Sequence, residues 1–200
     1  MTQQPMALTR TIAHFIVNTK DAAIPQSVCE HAKVAFMDWL GVALAGCEDP
    51  LVLKLIGYAD AIGGAEQAMI LGHGVKKSVS QAALINGAAS HALDYDDSFI
   101  NTYGHPSVGL FPGILALSEW KEKSGAEFIN AYIIGLKAGA VIGACTGIEH
   151  YMNGWHATST IGHLSSAAAC ARLMGLDEQQ TVYALGIAGT QACGLKRVFG

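Results

Sequence analysis

The sequence predicts an all-α, helical bundle-like fold of about eight helices, on three observations. Apolar residues recur at three- and four-residue spacing through much of the chain. Capping boxes, in which a Ser or Asp and a Glu or Gln three positions on satisfy each other's backbone N–H groups, open three of the apolar runs: Ser78–Gln81, Ser124–Glu127 and Asp177–Gln180. One stretch alone, Gln67 to Leu71, reads as extended, ahead of a Gly72-His73-Gly74 turn.

In chain order, helical spacing covers Thr9 to Thr19, Pro25 to Ala45 and Leu51 to Ile62. Pro25 suits a first-turn position, where a missing N–H costs nothing. Beyond the three capping boxes, two later helices are crowded with small residues: Gly135, Ala138, Gly139, Ala140, Gly143 and Ala144 in one, Ser165 to Ala169 and Ala171 in the other. Such faces let helix backbones approach closely, which suits central helices rather than surface ones. The last helix runs from Asp177 to about Cys193 and leads into Gly194 to Gly200, which reads as a loop about to continue. No Pro- or Ser-rich linker and no repeat interrupts the chain, so residues 1–200 read as a single N-terminal-type helical domain.

Composition narrows the function classes. With 51% hydrophobic and 14% charged residues the chain has ample apolar surface for a core. A formal charge of −4 and scattered Lys and Arg give no field for a polyphosphate, so nucleic acid is not an expected partner. The mean hydropathy of +0.32 is high. Its best membrane candidate, Ala131 to Cys145, carries Lys137 and falls short of the roughly 20 apolar residues that a span needs. No membrane association is therefore expected. Met1 to Arg10 lacks the pattern of a secretory leader, and a cytoplasmic location follows by default. Five cysteines, odd in number and without a C-x-x-C pair, read as small buried apolar residues in a reducing compartment. The surplus hydrophobicity then points to a buried oligomer interface or to a further part of the molecule.

Two segments are unusually polar. His91-Ala92-Leu93-Asp94-Tyr95-Asp96-Asp97-Ser98 sets three carboxylates within four residues, and Tyr103-Gly104-His105-Pro106-Ser107 follows. Clustered carboxylates repel, so they persist when solvated, capping, or held around something positive. Asp96, Asp97 or Ser98 can equally terminate one helix and cap the next. Pro106 at a first helical position puts His105 where backbone N–H groups and the positive end of the helix dipole point, an anion-binding corner. Gly154-Trp155-His156-Ala157-Thr158-Ser159-Thr160 repeats the arrangement ahead of a small-residue helix. Two such corners suit a substrate with two or more carboxylates, although either histidine alone reads equally as structural.

The run Ile85 to Asp97, the His105-Pro106-Ser107 that follows and Gly154 to Gly162 resemble the MmgE/PrpD family, whose members include 2-methylcitrate dehydratase, cis-aconitate decarboxylase and iminodisuccinate epimerase. The likeness extends from about Pro25 to the last residue. It implies a helical domain, a smaller α+β lid domain that these residues do not contain, a homodimer, and an active site between domains that requires no metal or other cofactor. It also implies that Asp94, Ser98, His105 and His156 are active-site residues, with Ser98 standing where the decarboxylase branch has Thr. A functional Lys in a Lys-Pro-x-His segment is implied beyond Gly200, and neither Lys196 nor Arg197 matches it. The chain thus reads as a fragment lacking the lid and part of the site.

The expectation is a lyase or isomerase acting on a small di- or tricarboxylic acid by proton transfer next to a carboxylate, with a hydro-lyase of the 2-methylcitrate dehydratase kind first and decarboxylation or epimerisation open. His105, His156 and Asp94 are the expected catalytic set: the histidines bind a carboxylate and exchange protons, and Asp94 orients a histidine. Ser98, Ser107 and Thr158 are the expected substrate-binding hydroxyls. Two rivals remain: a non-catalytic fragment or subunit, and a hydrolase holding a divalent metal on His91, Asp94, Asp97, His105 and His156, which no H-E-x-x-H pair supports.

Overall fold

The computed structural model describes residues 8–198. Met1–Ala7, part of the stretch read for a leader, and Phe199 and Gly200, the end of the expected loop, lie outside the described residues. Among the described residues there are eight α-helices: α1 (Leu8–Asn18), α2 (Gln26–Ala45), α3 (Pro50–Ile62), α4 (Val79–His91), α5 (Pro106–Lys121), α6 (Gly125–Met152), α7 (Ala157–Met174) and α8 (Glu178–Gln191). The all-α prediction holds, and the three capping boxes open α4, α6 and α8 with both reciprocal bonds in place.

The exception is a two-stranded hairpin, β1 (Ala68–Ile70) paired antiparallel with β2 (Val75–Lys77), Met69 opposite Lys76. The extended reading of Gln67 to Leu71 anticipated β1. The partner strand was not anticipated, because Val75-Lys76-Lys77 is too short and polar to show a period. Asn86 of α4 serves the free side of β1. Fully buried, it accepts from Leu71 N–H at 3.0 Å and donates to the Met69 carbonyl at 2.9 Å, completing backbone bonds that a third strand would otherwise make.

Helix α7 is central, packed on α5, α6, α8 and α1. Its small residues allow this: a Cβ added at Gly139 of α6 would run into the Ser165 hydroxyl of α7, so the two helices close on a glycine. One core cluster gathers Trp39, Phe111, Phe128 and Tyr132 beneath α5 and α6, with the Phe111 and Tyr132 rings stacked at 4.0 Å. A second joins α1, α6, α7 and α8 through Ile12, Ile16, Ile134 and Leu185, and a third seats α3 and β1 on α4. Arg172 of α7 fastens the end of α1, donating to the carbonyls of Ile16, Val17 and Thr19 and to the Asp21 carboxylate, and so satisfies acceptors that a helix end leaves open.

Helix α6 is long and apolar enough to cross a membrane by length and composition, and half of that apolar window is buried in the fold. It is interrupted at Gly147, whose φ of 65° and ψ of −178° are not helical, and the final turn carries Tyr151. The cysteines divide: Cys47 is buried and Cys29 and Cys170 partly so, but Cys145 and Cys193 are exposed, so the reading of all five as buried residues is corrected for these two. Cys145 lies in α6 two residues before the Gly147 interruption, and Cys193 lies just beyond the end of α8.

Candidate active site

The ends of three helices meet at one recess. His91 is the last residue of α4, His105 immediately precedes α5 and His156 immediately precedes α7, so each imidazole sits where its helix meets a loop. The rings lie close together, His91 to His105 at 5.4 Å between centroids and His91 to His156 at 6.3 Å. With Asp94, Tyr103, Tyr151 and Thr158 they line a cavity of about 530 Å³.

The loop between α4 and α5 supplies the groups that orient these rings. Asp96 turns its carboxylate inward, 1% exposed, to Nδ1 of His91 at 2.9 Å. His105 presents Nδ1 to the carbonyls of Asp97 at 2.8 Å and Asp96 at 3.2 Å. Carbonyl oxygens only accept, so that nitrogen carries the proton and a neutral His105 keeps its lone pair on Nε2. The Nε2 atom lies 3.9 Å from an Asp94 oxygen, within ion-pair range but beyond a hydrogen bond. The His105 backbone N–H donates to Thr158 Oγ1 at 3.0 Å, tying the start of α5 to the first turn of α7.

His156 is held from the other side. Its N–H donates to the Gly194 carbonyl at 3.0 Å, and Lys196 N–H returns a bond to the Gly154 carbonyl at 2.8 Å. The segment after α8 is thereby strapped beside the start of α7, with a bridge between Trp155 and Leu195. The strap carries Lys196 over the Tyr151 ring, its ammonium 3.8 Å from the centroid. That cation rests on a tyrosine of the recess wall although it matches no expected motif.

The environments split the histidines. The hydrogen bond to Asp96 raises the pKa of His91 above the ordinary histidine value, with burial opposing and the Asp96 and Asp94 charges assisting. His156 is shifted the other way, by burial first and then by the charges of His91 and His105. A pair of groups whose surroundings pull their protonation apart is the arrangement from which acid and base roles are made.

The predicted site residues fall into three groups. His105, His156, Asp94 and Thr158 line the recess together. Ser98 lies next to it, lining a smaller hollow that shares Tyr103, His105 and Tyr151 with the recess. Ser107 is elsewhere: 1% exposed, its hydroxyl donates to Asp97 Oδ2 at 2.6 Å and is 2.9 Å from Tyr132 Oη. The serine proton is used on Asp97, so the phenol donates to the serine oxygen. Burial pushes the Tyr132 phenol up to about 12 and raises Asp97 despite the two bonds from Ser107.

Asp97 also accepts the Ser107 N–H at 3.1 Å. The capping reading is therefore right for Asp97, and the anion-binding corner expected at the start of α5 is already filled by this internal carboxylate. Sequence reasoning assigned Asp94 the task of orienting a histidine. The structure gives the hydrogen bond to Asp96 and leaves Asp94 84% exposed at the rim. His91, Asp96, Tyr151 and Lys196 were absent from the expected catalytic and binding set. The five-residue spacing from His91 to Asp96 was the available signal, since a helix end followed by a tight turn brings such a pair together.

The chain is 32% identical over 194 residues to cis-aconitate decarboxylase of Aspergillus terreus, covering 94% of this chain and 40% of that protein. It is 26% and 25% identical to the cis-aconitate decarboxylases of Mus musculus and Homo sapiens, over 93% of this chain in both cases. The chain thus spans about two fifths of the length of these curated relatives. The model of the MmgE/PrpD N-terminal domain matches residues 10–200, and with this extent of agreement the chain belongs to the MmgE/PrpD family.

Proposed function

We propose that this chain is the helical, substrate-binding part of a cofactor-independent lyase acting on a small tricarboxylic acid. The observation that carries the reading is the convergence of His91, His105 and His156 on one recess, with the protonation preferences of His91 and His156 pulled apart. In the protonated form His91 is a fixed cation for a substrate carboxylate, and Lys196, over the Tyr151 ring, is a second cation nearby. His156, disfavoured as a cation, is the base, and His105, with Nδ1 locked on carbonyls, exchanges its proton at Nε2.

Dehydration, decarboxylation and epimerisation all pass through a carbanion-like centre beside a carboxylate. The sequence favoured dehydration. The relatives' names favour decarboxylation of cis-aconitate or a close analogue, and we take that as the first reading. In it the bond to the departing carboxylate breaks and carbon dioxide leaves. The electron pair delocalises toward a remaining carboxylate held by His91, and protonated His105 delivers its Nε2 proton to carbon, His156 acting as the base in the dehydration and epimerisation readings. Ser98, beside the recess, and Thr158, within it, are proposed hydroxyl contacts to the acid. Pairing with a second copy belongs to the same proposal, supported by exposed Val34, Met37, Tyr183 and Ile187, and sedimentation tests it.

The metal-dependent rival has one observation in its favour: donor atoms of His91, Asp94 and Asp96 lie within 4.8 Å of one another. Against it, the Asp96 carboxylate is engaged with His91 Nδ1–H, and Asp97 is turned away to Ser107. Proton NMR of the folded chain in deuterated water with a chelator, offered cis-aconitate, 2-methylcitrate and iminodisuccinate in turn, tests the proposal. Turnover or deuterium at carbon with cis-aconitate supports it. Deuterium or turnover with another acid replaces the substrate. Silence from the chain, and from a chain extended past Gly200, overturns it in favour of a non-catalytic part.

A further inference from the structure

Beside α4, the tip of the β1–β2 hairpin is pressed against the turn between α2 and α3, whose Gly46 packs on the Ala89 carbonyl of α4. Gly72, with φ of +81°, lies so close that a Cβ there would be 2.6 Å from Cys47 Sγ. The adjacent His73 donates from Nε2 to the Cys47 carbonyl at 2.9 Å, which holds its ring beside the thiol. Cys47 is buried, Glu48 beside it is exposed and His73 is half-buried. One thiol sulfur, one carboxylate oxygen and one imidazole nitrogen from these three residues lie within 4.8 Å of one another.

We propose that Cys47, Glu48 and His73 bind a single divalent transition-metal cation, with Zn²⁺ the best match to these donors. Thiolate with imidazole is a soft to intermediate donor pair that excludes Mg²⁺ and Ca²⁺ and suits zinc. Tetrahedral zinc, with bonds of about 2.3 Å to sulfur and about 2.0–2.1 Å to nitrogen and oxygen, sets its donors about 3.5 Å apart. Closure from donor separations of up to 4.8 Å takes roughly 1 Å, which rotamer changes of the Glu48 and His73 side chains supply. A water completes the coordination. On binding, the Cys47 thiol releases its proton to solvent and the thiolate takes the metal, while His73 gives up its hydrogen bond to the Cys47 carbonyl, carries its proton on Nδ1 and ligates through Nε2, so affinity rises with pH.

The hydrogen bond from His73 to the Cys47 carbonyl explains how the hairpin is pinned without any metal. It does not explain why a thiol and a carboxylate converge on the same imidazole. None of the three residues lines the histidine recess, so this site stands apart from the proposed chemistry. A bound cation would clamp the hairpin to the α2–α3 turn and, through β1 and Asn86, to α4.

The test is titration with Co²⁺ as a spectroscopic stand-in for zinc, on a chain whose exposed Cys145 and Cys193 are replaced by Ser. One equivalent of Co²⁺ is expected to develop a thiolate-to-cobalt charge-transfer band, with release of about one proton per metal. Zn²⁺ should then displace the cobalt and remove the band. Cys47→Ser is expected to abolish the band, and His73→Ala to weaken binding at least about tenfold. Glu48→Gln, at an exposed position, is expected to weaken it about tenfold as well. Absence of a band, its survival in Cys47→Ser, or unchanged affinity in Glu48→Gln each overturns the three-residue site.

Discussion

Asp96 places a carboxylate oxygen 2.9 Å from Nδ1 of His91, and that carboxylate is the most deeply buried acidic group at the recess. The pair spans the junction at which α4 ends and the loop toward α5 begins. One contact therefore joins the protonation of a candidate catalytic group to the conformation of the segment that carries Asp94, Ser98 and His105.

Asp96→Asn should lower the His91 pKa toward the ordinary value of about 6.5. Because the folded value is raised, the pair's contribution to stability is fully present below about 6.5 and is lost as pH rises through the higher folded value. Urea unfolding should therefore show the variant less stable by about 1 kcal/mol at pH 5.5, with the difference shrinking at pH 9. An NMR titration of His91 unchanged by the substitution would count against the assignment.

His156 has the opposite sign. Its folded pKa lies below the unfolded one, so the unfolded chain takes up the proton first, and this residue costs stability as pH falls below about 6.5. If its neutral form is the base, kcat/KM of the active enzyme should hold steady down to a pH below the ordinary histidine value and then decline. His156→Ala and His105→Ala should each reduce kcat by about 10²–10⁴-fold. Retention of activity in either variant removes that residue from the mechanism.

Ser107→Ala separates a binding role from a structural one. The hydroxyl links half-buried Asp97 to buried Tyr132, so its removal leaves polar atoms unpaired and should destabilise the fold by about 1–3 kcal/mol. Asp97, already raised by burial, loses a bond that favours its ionised form and should rise further. Substrate KM should change little at a temperature where the variant is fully folded. A large rise in KM with unchanged stability would restore Ser107 to the substrate.

Gly139→Ala tests the packing of α6 on α7. The new methyl meets Ser165, whose hydroxyl is itself bonded to the Ile161 carbonyl, so the helices must separate or the serine must give. Destabilisation of about 1–3 kcal/mol is expected from denaturant titration. Ser165→Ala in the same chain should recover part of it.

Much of the fold was legible because helix signals are local. The capping boxes at Ser78, Ser124 and Asp177 need only four consecutive residues to satisfy their donors, and each starts a helix where the pattern placed it. The small residues of α6 and α7 marked their close approach for a similar reason: a missing side chain is a steric statement wherever it occurs. The hairpin was half legible. Strand β2 exists because it pairs with β1, and β1 is held on its other side by Asn86 of α4.

By itself, then, the sequence determined the helical class, the helix starts, the placing of His105 and His156 immediately before two helices, and the family likeness. Tertiary structure decided which of three neighbouring carboxylates does what. Asp94 stays at the rim, Asp96 turns in to His91, and Asp97 caps α5 through Ser107. Their chemistry is the same and their positions are adjacent, so no local rule tells them apart. The separation comes from the path of the loop, including the positive φ of 50° at Asp94, and from what α4, α5 and α7 present to each side chain once packed. The same packing brought His91 to the other two histidines and Lys196 to Tyr151, across separations in sequence over which no periodicity carries information.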